Sequence, residues 1–358
     1  MTKKIHNYSA GPCILPRTVM EQAARSCVDF NGTGLSILEM SHRSKEYVAV
    51  MEEARQSALG VLNVPAGYTA LYLQGGASLG FLITALNLMK AEGGKAAYVN
   101  TGTWSSKAIK EAKRVGDAQV IASSEDKNHS YIPKGFTVPS DADYLHITTN
   151  NTIFGTQYHQ IPESHIPLVA DMSSDIFSKE IDASKFDIIY AGAQKNLGPA
   201  GATLYIVKEE ILGQTGREIP SMLDLQVHIG KDSMFNTPPA FAVYVAMLNL
   251  RWLKEFGGVK AIQERNEAKS ALLYGEIDRN PLFQGVAEVT DRSHMNATFT
   301  LTDESLTDRW NSLWNEAGIS GIKGHRSVGG YRASMYNALP LESVQVLVDC
   351  MQELEKGA

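Results

Sequence analysis

Two short apolar runs, 167–170 and 186–190, are continuous rather than alternating. Continuous apolar runs predict strands buried on both faces, as in a parallel sheet. Further strands are predicted at 69–73, 95–100, 118–122, 144–148 and 203–207, with helices at 78–91 and 104–115 between the first of them. Ahead of these, Pro16 opens a helical pattern in which Val19, Met20, Ala23, Ala24 and Cys27 share one face. A second helix is predicted at 45–62, with Val48, Met51, Ala54 and Ala58 on one side. The strand–helix alternation argues for an α/β chain with a mostly parallel sheet covered by helices. Pro238 and Pro239 precede a long helix at 240–256. After Gly257 and Gly258 the pattern changes to a helix, a strand at 296–301, a helix at 306–317, a strand near 333–336 and a last helix from 341. That order predicts a smaller α+β domain. The expected division is 16–257 for the large domain, with 1–15 and 258–358 forming the small one.

Composition narrows the function classes. At 358 residues, 44% apolar and 20% charged, the chain can bury a large core. Its net charge of −6 comes without a basic stripe, so no nucleic-acid partner is expected. The start, Met-Thr-Lys-Lys-Ile-His-Asn-Tyr, has no apolar stretch after its lysines and does not read as a signal peptide. The most apolar helical stretch, 240–250, is far shorter than the ~20 residues a membrane span needs. Cys13, Cys27 and Cys350 are isolated, without metal-ligand spacing, which suits a reducing cytoplasm and no metal site.

Asp171 stands where the first apolar run ends, and Lys195 stands in a loop just past the second. In an open α/β sheet the carboxyl ends of strands form the ligand crevice, so both side chains are expected in one pocket. Taken singly, such a lysine is usually solvated and such an aspartate usually caps a helix. The neighbourhood favours more. Gln194 and Asn196 flank the lysine, Gly192, Gly198 and Gly201 let backbone approach a bulky ligand, and Ser173 and Ser174 add hydroxyls. An amine able to form a Schiff base, paired with an acid for a pyridinium nitrogen, suits pyridoxal phosphate. The turn Gln74-Gly75-Gly76-Ala77-Ser78 joins a strand to a helix, where free backbone N–H groups bind phosphate. It lacks the G-x-G-x-x-G spacing of a dinucleotide site.

The stretch A-G-A-Q-K-N-L-G-P-A-G around Lys195, with A-D-M-S-S, S-M-F-N-T-P-P, S-A-G-P, S-H-R-S-K-E, W-S-S-K-A-I-K-E-A and G-H-R-S-V-G-G-Y-R-A-S-M-Y-N-A, resembles the phosphoserine aminotransferases. These are pyridoxal-phosphate enzymes of the class V aminotransferase group, with fold type I, and the motifs span nearly the whole chain in the family's order. The resemblance implies roles. Lys195 and Asp171 would be catalytic, with Gln194 beside them in the cofactor site. Ala77 and Ser78 would hold the cofactor phosphate, although many members have Gly-Arg there, so one cation is missing. Trp104 would stack on the ring and Thr152 would bond its phenolic oxygen. Asn236 and Thr237 would reach across a homodimer to the neighbouring cofactor, giving shared active sites. His42, Arg43, His325 and Arg326 would meet the substrate's phosphate or distal carboxylate, and Arg332 its α-carboxylate.

The activity implied is conversion of 3-phosphooxypyruvate and L-glutamate to O-phospho-L-serine and 2-oxoglutarate in serine biosynthesis, in the cytoplasm. 4-Phosphohydroxythreonine, of pyridoxine biosynthesis, offers an anion at comparable distance. Two other readings compete. A cysteine desulfurase would need a reactive cysteine on a mobile loop, and Cys350 falls in a helical pattern instead. A phosphate sensor that had lost the chemistry would not need both Lys195 and Asp171.

Overall fold

The computed structural model describes residues 4–357. Among them, seven strands form one sheet: β1 (Tyr68–Leu73), β2 (Lys95–Asn100), β3 (Asp117–Ser123), β4 (Tyr144–Thr148), β5 (Leu168–Asp171), β6 (Ile188–Gly192) and β7 (Thr203–Lys208), in the order β1-β7-β6-β5-β4-β2-β3. The run from β6 to β3 is parallel throughout, and β7 is antiparallel to both its neighbours. The exception has a simple cause. The 193–202 connection is too short for a parallel crossover, which takes a dozen or more residues.

Both faces of the central strands are covered, which is why β5 and β6 read as continuous apolar runs, while the edge strand β3 is half-exposed. Leu145, Ile147, Ala170, Ile189 and Leu204 face one core cluster, shared with helices α1 (Arg17–Ser26) and α2 (Lys45–Val61). The alternate residues Tyr98, Tyr144, Val169, Tyr190 and Tyr205 face the other, under α3 (Gly76–Leu88) and α4 (Thr103–Ala112). The expected long helix is α5 (Ala240–Glu255), and it closes the first cluster.

A third core gathers Tyr8 with Leu273, Phe299, Trp310, Tyr331 and Leu347. It lies between helices α6 (Gly258–Arg279), α7 (Thr307–Glu316) and α8 (Leu341–Lys356) and a three-stranded antiparallel sheet of β8 (Phe283–Gly285), β9 (Asn296–Leu301) and β10 (Tyr331–Ser334). β10 ends two residues before the expected 336. Beyond Ser334 the carbonyls of Met335 and Tyr336 turn to the Lys269 amine on α6, each at 2.7 Å. α6 serves both sides, with Val259 and Ile262 in the first core and Leu273 and Ile277 in the third. At the other end of the chain, His6–Asn7 pairs parallel with Ile319–Ser320 and so fastens the N-terminal segment to the third core.

One close approach positions the site. α3 lies so near β6 that a Cβ on Gly80 would come within 3.0 Å of the Tyr190 ring. Gly80→Val should therefore lower unfolding free energy by about 1–3 kcal/mol through overpacking, and urea unfolding of the purified chain checks it.

Candidate active site

The carboxyl ends of β1, β2, β4, β5 and β6 converge, because these five strands run the same way. Each delivers one wall of a cavity of about 390 Å³ lined by Ala77, Ser78, Trp104, Thr152, Asp171, Gln194, Lys195, His325 and Arg332, among others. A larger cavity of about 590 Å³ lies between 132–136 and 157–163. There Lys134 and Asp291 already neutralise each other at 2.7 Å. The smaller cavity holds the uncommitted amine and carboxylate, and it is the one with chemistry.

Lys195 lies in the β6–β7 hairpin loop, which is tightly wound. The N–H groups of Lys195 and Gly198 both donate to the Ala193 carbonyl at 2.7 Å, and Ala193 N–H donates to Ala202 at 3.0 Å. Asn249 of α5 clamps the loop by donating to the carbonyls of Asn196 and Leu197 at 2.7 and 3.1 Å. Asn196 in turn accepts from Asn337 N–H at 3.0 Å. The lysine side chain is buried. Its Nζ donates to the Thr152 hydroxyl at 3.1 Å and sits 5.9 Å from the centre of the Trp104 ring. Burial pulls the Lys195 amine down to about 8; Arg332 pushes the same way, while Asp171 opposes.

Asp171 closes β5, in register with Thr148 on one side and Tyr190 on the other. Its Oδ1 accepts from Ser173 N–H at 2.9 Å and from Ser173 Oγ at 2.6 Å. Burial raises its pKa above the usual carboxylate range, and the Ser173 hydrogen bonds and Lys195 counter that rise. Ser173 Oγ is fixed from β6 by Gly192 N–H at 3.2 Å.

At the end of β1, Gly75 adopts φ +97, where a side chain would be strained and its Cβ would meet Leu79 at 2.4–2.6 Å. α3 starts without a side-chain cap, leaving the first N–H groups of Gly76, Ala77 and Ser78 free of helical partners at the cavity wall. These donors suit a phosphate. Two buried N–H donors, Trp104 Nε1 and Arg332 Nε, have no protein partner among the described residues. A flat aromatic, a helix N-terminus, a depressed amine and a serine-held carboxylate together fit pyridoxal phosphate in donor chemistry and in shape.

Of the sequence-derived residues, Ala77, Ser78, Trp104, Thr152, Asp171, Gln194, Lys195, His325 and Arg332 share this cavity. Asn236, Thr237, His42, Arg43 and Arg326 do not line it in this chain. Asn236 Nδ2 donates to Gln74 Oε1 at 3.3 Å, and Gln74 donates to the Thr237 carbonyl at 2.7 Å, so this pair stands beside the phosphate turn but outside the cavity. Arg326 is exposed, on the loop that carries His325 inward. Sequence reasoning missed Ala10, Gly11 and Asn150 in the wall. The S-A-G-P motif was the signal for the first two.

Comparison with known proteins identifies the family. The model of the family "Aminotransferase class-V" matches residues 5–347. A phosphoserine aminotransferase of Flavobacterium psychrophilum is 64% identical over 98% of this chain and 99% of its own length. The solved phosphoserine aminotransferase of Bacillus circulans subsp. alkalophilus superposes with a TM-score of 0.96 at 44% identity, covering 99% of each chain. The pyridoxal-phosphate-bound phosphoserine aminotransferase of Trichomonas vaginalis gives 0.91 at 33% identity, over 98% of this chain and 100% of that one. A buried lysine facing an aspartate under a tryptophan is thus embedded in a chain that matches such enzymes from end to end, and the chain belongs to the class-V aminotransferase family, together with the phosphoserine aminotransferases.

Proposed function

We propose that the chain is a pyridoxal-phosphate-dependent phosphoserine aminotransferase, exchanging the amino group between L-glutamate and 3-phosphooxypyruvate to give O-phospho-L-serine and 2-oxoglutarate. The observation that carries this is the buried Lys195 amine, depressed to about 8 and set between Asp171, Thr152 and Trp104. When bound, pyridoxal phosphate supplies a ring that withdraws electrons from the substrate's α-carbon. The chain's own residues do the rest. Lys195 would hold the cofactor, and its amine would carry a proton to and from the substrate's α-carbon; its depressed pKa leaves on the order of 10²-fold more neutral amine near pH 7.5 than an ordinary lysine has. Asp171 would hold a positive ring nitrogen, and Ser173 keeps the carboxylate aimed. The N–H groups at Ala77 and Ser78 take the cofactor phosphate without the cation found in many relatives. Trp104 would offer a flat face to the ring, and the Thr152 hydroxyl and the Gln194 side chain would complete the cradle.

In this reading residues 16–257 hold the cofactor, and residues 1–15 with 258–358 form the smaller unit that brings His325 and Arg332. Arg332 takes the α-carboxylate with its unpartnered guanidinium, a planar fork suited to that group. Arg326 and His325 meet the distal anion, together with His42 and Arg43. The enzyme works as a homodimer in the cytoplasm: Asn236, Thr237, His42 and Arg43, outside this chain's own cavity, serve the neighbouring subunit's site. Three unpaired cysteines support the compartment. Among the described residues no helix is long and apolar enough to cross a membrane. 4-Phosphohydroxythreonine is the second substrate to assay beside phosphoserine.

Three outcomes test this. Lys195→Ala should fold yet lose covalent cofactor capture and turnover, while the wild-type apoenzyme should capture pyridoxal phosphate with a pH midpoint near 8. Retained capture in the variant, read from absorbance and intact mass, would remove Lys195 from the role. Second, a charge-assisted hydrogen bond contributes roughly 1.5–3 kcal/mol, about 10- to 150-fold in kcat/KM. Arg326→Leu should lose that much for phosphoserine and glutamate while sparing slow reaction with alanine, whereas Arg332→Leu should weaken all three. Equal losses for alanine and phosphoserine in Arg326→Leu would end the division of labour. Third, mixing Lys195→Ala chains with Asn236→Asp/Thr237→Asp chains should restore part of the activity, because one of the two sites then has Lys195 from one chain and Asn236 and Thr237 from the other. A verified heterodimer without recovery would rule out sharing.

A further inference from the structure

One wall of the cavity comes from neither the sheet nor α3. Ala10 and Gly11 line it, and a Cβ on Gly11 would meet Lys195 Cγ at 3.4 Å, so this backbone lies directly along the lysine's alkyl chain. Two residues on, Cys13 holds the lysine's own backbone. Its N–H donates to the Gln194 carbonyl at 3.1 Å and its S–H to the Lys195 carbonyl at 2.9 Å. Burial pushes the thiol up to about 12, so it stays protonated and remains a donor.

The segment is tied down from the opposite side as well. Tyr336 OH donates to the Ala10 carbonyl at 2.8 Å and accepts from Asn296 Nδ2 at 3.3 Å. The backbone of Tyr336 is gripped by the fully buried Lys269, whose amine makes no ion pair among the described residues and instead donates to the Met335 and Tyr336 carbonyls. Upstream, the Tyr8 hydroxyl donates to the Ser343 carbonyl at 2.6 Å, anchoring residue 8 in the third core.

We propose that residues 10–13 form a strap that fixes the reach of Lys195 and shields its amine from water, with Tyr336 and Cys13 as positioning residues acting through it. The loop's internal hydrogen bonds run to the Ala193 carbonyl and leave the carbonyls of Gln194 and Lys195 for the strap. Gly11 limits where the alkyl chain can lie. If the strap lifts, solvent reaches Nζ, the desolvation that depresses the amine weakens, and the amine moves back toward an ordinary lysine. The ionisable groups that face this amine are Asp171, Arg332, Cys13 and Asp175; only Cys13 changes in the variants below, and its thiol, pushed up to about 12, is neutral over the pH range used.

The proposal rests on the pyridoxal-phosphate reading through its probe. Apoenzyme is mixed with pyridoxal phosphate over a pH series, quenched with borohydride, and the modified Lys195 peptide is quantified by mass; melting temperature is recorded alongside. In Tyr336→Phe the capture midpoint should rise from about 8 by roughly one unit, which slows capture about tenfold near pH 7. Cys13→Ala should shift it the same way by a smaller amount, about threefold in rate, and Cys13→Ser, which keeps a hydroxyl donor, should restore it. Variants that melt like wild type and keep its midpoint and rate overturn the strap. Should Tyr336→Phe fail to fold, the Cys13 pair decides. Absence of capture in the wild type alone overturns the cofactor reading and this proposal with it, an outcome separable from a failure confined to the variants.

Discussion

The structure depends on keeping one amine dry. In the proposed role Lys195 is a nucleophile and proton carrier only in its neutral form, and burial is what enlarges that form near physiological pH. Burial in turn demands a rigid enclosure, because a loop free to open would let water restore the charge. The hairpin between β6 and β7, the Asn249 clamp, the tryptophan at the start of α4 and the strap at residues 10–13 all bear on that requirement. They come from four distant parts of the chain, and the sheet is what brings them to one place.

That explains which parts could be read in advance. The central strands of the main sheet were legible because they are buried on both faces and so carry short apolar runs, and the half-exposed edge strand β3 was legible from its place in the strand–helix alternation. Asp171 and Lys195 were legible because strand ends in such a sheet are where ligands bind, and because glycines and serines surround them. The roles of Trp104 and Thr152 rested on the resemblance, since a tryptophan at a helix start and a threonine in a turn have commoner fates.

What stayed hidden is of one physical kind. Tyr336, Lys269, Asn249 and Cys13 act on backbone carbonyls far away in sequence, and a carbonyl is the same in every residue. No local pattern marks a lysine that will bond the end of a strand, or a cysteine that will hold a loop 182 positions on. The end of β10 was misjudged for the same reason: residues 335 and 336 have strand-like side chains, but their carbonyls are taken by Lys269. His42, Arg43, Asn236 and Thr237 pose a different difficulty, because one chain's cavity does not contain them.

The two central groups also explain each other. Burial drives Asp171 and Lys195 alike toward neutrality, one by raising its pKa and the other by lowering it. Their surroundings then break the symmetry. Asp171 receives two hydrogen bonds from Ser173, which favour its charged form, whereas the Lys195 amine meets a hydroxyl acceptor at Thr152, which serves a neutral amine as well as a charged one. In the proposed reading a cationic ring nitrogen at Asp171 would complete the separation, since a nearby positive charge stabilises the carboxylate. Lys195 then keeps the desolvation and the repulsion from Arg332 that enlarge its neutral share. Acid and base are thus assigned by what surrounds each group, and a serine two positions after the aspartate contributes to that assignment as directly as the lysine does.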